Sequence, residues 1–254
     1  MKKTIVALAL AAGASTALAD SVSMRTVGLV STAWGKADIT SAKFSRDGVF
    51  NAGQIKHEVS GGGEIFTFCT ELGQTTSSSF HTFTCKDLDL APDPSGPMGA
   101  AKAAAIGRIY EFAAVSLGVD VFSSLPSGVG GSGDTDDFAV AFQLAIWEIV
   151  EDYDAGDTYT VTASTSSDGF NGGSGFSVND FSTNGRTSDL GVKSIFDALM
   201  LVAADQSLAS EGRLAALTNP HRQDQIILIP LPGSAALATA GLLGIAAIRR
   251  RRRL

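Results

Sequence analysis

Five consecutive arginines, Arg249, Arg250, Arg251, Arg252 and Arg253, stand directly behind an uncharged run of fifteen residues, Ser234 to Ile248. A short apolar run with a basic cluster behind it reads as a membrane-seated tail. At the helical rise the run covers roughly 22 Å, less than the roughly 30 Å hydrocarbon core of a bilayer. Arginine side chains can snorkel and hold such a short span at the inner face, and the positive-inside rule then puts the body on the other side. Pro230 and Pro232 lack amide donors, so they end whatever strand "DQIILI" (224–229) makes. A plain anchor and a basic nucleic-acid tail are the simpler readings of the same residues.

The other end, "MKKTIVALALAAGASTALAD", has two lysines, an apolar stretch and the Ala17-Leu18-Ala19 pattern of a signal-peptidase site before Asp20. The expected organisation is a signal peptide at 1–19, an ectodomain at 20–229 and a sorting segment at 230–254, with the membrane span at 234–248. Charge favours export over nucleic-acid binding. The chain has 19 basic and 26 acidic residues. Removing Lys2, Lys3 and the five terminal arginines leaves 12 basic against 26 acidic, a body charge of −14. Such a body repels nucleic acid and anionic lipid.

Pro230-Leu231-Pro232, the small-residue span and the arginine cluster resemble the PEP-CTERM family of sorting tails, in a variant with leucine at the central position. The resemblance covers about the last twenty-five residues. It implies a membrane protease of the exosortase type as partner, and delivery to the envelope, surface or extracellular matrix after transient anchoring in the inner membrane.

Between the ends, strand-like stretches occur at "VSMRTVGLV" (22–30), "QIKHEVS" (54–60), "EIFTFCTEL" (64–72), "FHTFTC" (80–85), "TYTVTAS" (158–164) and "DQIILI". Helical patterns occupy 98–117, 135–153 and 188–209. The first is rich in Ala and Gly, which permits close packing. Ser164 to Arg186 reads as a long surface loop. The expectation is an α+β domain: a mostly antiparallel sheet with about three packed helices.

Enzyme signatures fail one by one. "GVGGSG" (128–133) fits G-x-G-x-x-G, but Pro126 interrupts the chain before it, and Asp134, Asp136 and Asp137 crowd the helix start as capping residues. "GGSGFS" carries Ser177 where a calcium-binding repeat needs Asp. His57, His81 and His221 lack metal-ligand spacing, and no G-x-S-x-G occurs. The expected protein is not an enzyme and carries no metal or cofactor.

One helix holds an anomaly. In "AFQLAIWEIVEDY" (141–153), Glu148, Glu151 and Asp152 share one face, with Phe138, Phe142, Ala145, Ile146 and Ile149 opposite. Gln143 falls outside the acidic sector, beside Ala139, Trp147 and Val150. Two cysteines, Cys69 and Cys85, complete the unusual set. In an exported protein their default state is a disulfide, which a hairpin turning near Ser77 would allow.

"FTFCTEL", an Ala-rich helix and "FQLAIW" together resemble the internal thioester domains of bacterial surface proteins, over roughly residues 60–153. Those domains join a cysteine after an aromatic residue to a glutamine in an apolar-Gln-x-x-apolar-Trp motif. The resemblance implies a Cys69–Gln143 thioester in an apolar pocket walled by Trp147 and Phe142, and covalent adhesion to an amine- or hydroxyl-bearing surface ligand. Cys85 has no place in that pattern. Two readings stand open: a covalent adhesin, or a structural surface or biofilm-matrix protein with a Cys69–Cys85 disulfide.

Overall fold

A computed structural model describes residues 21–93, 96–123, 135–153, 170–171, 176–183, 190–210 and 212–229. They belong to one compact unit, Asp20–Ile229. The chain ends at 1–19 and 230–254, the Gly-rich 128–133 stretch and "TYTVTAS" lie outside the described residues.

The elements run β1 (Ser21–Ser41), β2 (Arg46–Val59), β3 (Glu64–Cys69), β4 (His81–Asp87), β5 (Pro92–Asp93), β6 (Gly96–Pro97), α1 (Ala100–Glu111), α2 (Thr135–Asp152), β7 (Phe170–Asn171), β8 (Phe176–Thr183), α3 (Leu190–Ala204), β9 (Leu214–Asn219) and β10 (Arg222–Leu228). All pairings among the described residues are antiparallel. The α+β expectation holds at this level.

The sheet does more than lie flat. Strand order β2-β3-β10-β9-β4-β1, with a further β1–β2 pairing, closes six strands into a barrel. Closure removes the exposed edges that a six-stranded open sheet would leave. The far half of β1 extends the wall outward, pairing with β8, which pairs in turn with β7. Ser164–Arg186 is therefore not simply a loop, because β8 crosses it. Phe176 and Val178 are buried and alternate with less buried Ser177 and Asn179, the period of a strand with one covered face.

Side-chain alternation gives the barrel an interior where Met24, Phe83 and Leu217 meet, with Val22, Ile65, Cys85 and Ile227 around them. The larger core lies outside the wall, under the helices. There α2 is central: Phe138 to Val150 are buried without a break. Its acids are not a solvated face. Glu148 and Glu151 are buried, because α3 and the β1–β2 wall cover the helix on different sides. Gly107 lets α1 approach the segment between α3 and β9, since a Cβ there would come 1.9 Å from Ser210 Oγ. Buried Arg108 ties the three helices, donating to Ala203 O and to Tyr153 Oη.

Candidate functional site around Cys69 and Gln143

β3 ends at Cys69 between two packed layers. Phe68 points outward onto α2, its ring 5.0 Å from that of Phe142, while Thr67 and Cys69 face the barrel interior. The backbone of Cys69 is met by Gln143. Cys69 N–H donates to Gln143 Oε1 at 2.9 Å, and Gln143 Nε2 donates to Cys69 O at 2.8 Å. Both residues are buried, Gln143 completely.

The register explains why a side chain is needed there. β2 pairs with β3 as far as Ile55 opposite Thr67, and the same register two residues on would set Gly53 opposite Cys69. Gly53 pairs with Trp34 of β1 instead. β2 thus leaves β3 one step early, and the Gln143 carboxamide fills the place of the missing strand. A buried peptide N–H and C=O left bare would cost about 1–3 kcal/mol each.

α2 is held in that register from its far end. Lys43 Nζ and Lys102 Nζ both donate to Val150 O, at 2.7 and 2.6 Å, and both pair with the buried Asp93 carboxylate. Glu151 accepts from Ser41 Oγ at 2.7 Å and from the Lys43 amide. Two cations at the negative end of the helix dipole also complement its electrostatics. Burial, then the neighbouring Lys43, lowers the Lys102 pKa.

Cys69 and Trp147 line a cavity of about 460 Å³ whose wall includes Phe50, Ile55, Arg46 and Gln223. Trp147 is i+4 from Gln143, and its buried Nε1 has no hydrogen-bond acceptor among the described residues. Phe142 lies behind β3, packed on Phe68 and stacked on Phe138. Burial pushes the Cys69 thiol up to about 12, opposed by a contact with Gln225 and reinforced by the Glu71 charge.

Cys85 is remote. Gln225 pairs with both Cys69 and Leu217, and Leu217 pairs with Cys85, so the two cysteines occupy one row with β10 and β9 between them. Three strand spacings of about 4.8 Å separate them by roughly 14 Å. A disulfide needs Cα atoms within about 7 Å. Neither cysteine is in a disulfide, and the Cys69–Cys85 bond expected as one alternative is ruled out by this register. The sequence suggested a hairpin from β3 to β4; the late β9–β10 hairpin inserts between them.

Compared with known proteins, the chain matches no family model, no curated protein and no solved structure. Its reading rests on its own residues. Of the site residues expected from the sequence, Cys69, Gln143 and Trp147 come together, with Phe142 one layer behind. Pro230, Leu231, Pro232 and the terminal arginines lie outside the described residues. Sequence reasoning missed Gln225, which is buried against the sulfur, and Thr67 and His57, which are buried behind it in the barrel. The available signal was alternation: Gln225 shares a strand face with Ile227, as His57 does with Ile55 and Val59.

Proposed function

We propose that this is an exported surface or matrix module that forms an internal γ-glutamyl thioester between Cys69 and Gln143. The single observation that supports it most is the reciprocal pair of hydrogen bonds between the Gln143 carboxamide and the Cys69 backbone. In the reaction, Cys69 Sγ adds to Gln143 Cδ, the C–N bond breaks, and the thiol proton leaves with the amide nitrogen as ammonia. Cys69 N–H already donates to Oε1, so it meets the charge that develops on that oxygen. The cavity beside Trp147 reaches Cys69, the side from which an amine or hydroxyl would approach the thioester. Signal peptidase and an exosortase-type protease act at the two ends, and the acidic body has no role with nucleic acid.

The test is the intact mass of residues 20–229. It should fall short of the sequence mass by one ammonia, and methylamine should convert Gln143 to its methylamide while releasing a Cys69 thiol. Cys69→Ala should abolish both effects, and Cys85→Ala should abolish neither. A full sequence mass that methylamine leaves unchanged would favour a non-reactive structural surface protein with Gln143 as a buried strand mimic.

A further inference from the structure

Three polar side chains are wholly buried among Met24, Phe83, Leu217, Ile65 and Ile227, where an interior this small is expected to be apolar. They form a directed chain. Gln225 Nε2 donates to Gln223 O at 3.0 Å, which fixes the orientation of its amide. Its Oε1 therefore accepts, and Thr67 Oγ1 donates to it at 2.7 Å. The single Thr67 proton is then spent, so His57 Nε2, at 2.9 Å, carries a proton and donates to Thr67. Thr26 Oγ1 stands 3.4 Å from His57 Nδ1, at the start of the chain. At the other end Gln225 Nε2 lies 3.8 Å from Cys69 Sγ. Sulfur is large and polarisable, and a donor at this distance lies within its reach.

We propose that Gln225, oriented by His57 and Thr67, is the hydrogen-bond donor that holds the Cys69 sulfur and stabilises its thiolate. This deepens the thioester reading and rests on it for its role. In thioester formation the sulfur loses its proton to the departing ammonia. In transfer, an amine attacks the acyl carbon, the C–S bond breaks, and the sulfur leaves with the electron pair before taking the amine's proton. Both steps pass through a sulfur bearing negative charge inside an apolar barrel. Gln225 touches that atom and is a catalytic residue; Thr67 and His57 are positioning residues, acting through the orientation of its amide. The two amides thus reach Cys69 from different strands' positions: Gln225 from β10 on one side of β3, and Gln143 from the place of β2 on the other.

The experiment uses the folded body, residues 20–229, carrying Cys85→Ala and treated with methylamine. That treatment leaves Cys69 as a thiol whether or not a thioester had formed, and the mass change records which. The rate of alkylation by iodoacetamide is then followed against pH. Gln225→Met keeps the length of the side chain but removes the donor without adding a charge, and should slow alkylation below the plateau at least fivefold. Thr67→Val removes the proton that orients Gln225 and should slow it in the same direction, by less. Thermal unfolding checks that each variant is folded. If both folded variants alkylate with the unchanged pH profile, the donor assignment is overturned and the network is structural. Loss of the thioester mass signature alone would overturn the earlier proposal and leave this assignment to the alkylation rates.

Discussion

A Cβ on Gly53 would lie 2.3 Å from the carbonyl oxygen of Ala33 and 2.6 Å from Cα of Trp34. Both atoms are backbone, so neither can swing aside, and Gly53 also has φ +143°, a conformation that side chains rarely adopt. At this contact β2 crosses onto the far half of β1 and leaves β3, opening the place that Gln143 fills. Gly53→Ala should therefore destabilise the domain by about 2–4 kcal/mol, as strained buried backbone positions do. Chemical denaturation would measure it. A change below about 1 kcal/mol would mean that the crossing adjusts easily.

The row Cys69, Gln225, Leu217, Cys85 makes a second prediction. A peptide map of the purified protein under non-reducing conditions should show no peptide joining Cys69 to Cys85. Cys85→Ser should also leave the unfolding midpoint nearly unchanged, because Cys85 is only half-buried at the margin of the interior cluster. Removing a native disulfide would instead cost about 2–5 kcal/mol. A large loss with Cys85→Ser, or a linked peptide, would overturn the strand order.

What the sequence disclosed and what it hid follow from the range of the interactions. The three helices, β2, β3 and β10 were legible because their periodicity is local. Gln143 was legible as an anomaly from helical phase alone. The thioester resemblance named Cys69 as its partner, but the bonds to the Cys69 backbone were not legible, because that segment is left open only where β2 departs at Gly53. The insertion of β9 and β10 between β3 and β4 depends on contacts 128 to 158 residues apart in the chain, which no local pattern encodes. β8 was hidden by its Gly- and Ser-rich surroundings. The burial of the acidic side of α2 was not legible either: Glu151 is satisfied in the core by Ser41 and Lys43, partners more than a hundred residues away in the chain.

The proposed sorting function gives a third prediction from Pro230, Pro232 and the arginines. Protein recovered from the envelope or medium of cells with an active exosortase should lack Arg249 to Arg253 by mass. Replacing both prolines with alanine should leave uncut protein in the inner membrane. Mature protein that keeps the five arginines in such cells would reduce the tail to a plain anchor.

The last prediction concerns pH, where two buried groups pull in opposite directions. Burial lowers the His57 pKa to about 4 from 6.5, against the bonds it makes. The unfolded chain then takes up a proton below pH 6.5 while the fold resists until about 4, so His57's contribution to stability is lost on acidification across that window. Burial raises Asp224 to about 7 from 3.8, with Glu71 adjacent and its carboxyl raised as well. Here the folded state holds a proton that the unfolded state has released, so stability falls as pH rises from about 3.8 towards 7. Single substitutions separate the two. The penalty of His57→Gln should shrink by about 2–3 kcal/mol between pH 7.5 and 4.5, since the wild type loses most of the His57 contribution over that interval. Asp224→Asn keeps an acceptor for the Asn219 amide, which the carboxylate receives at 2.8 Å. Its stability relative to wild type should improve as pH rises from 4.5 to 8, because it removes a charge that the fold must bury. Denaturation curves across pH for the two variants and the wild type decide it. Flat differences for both would mean that neither group titrates differently in the folded and unfolded chain.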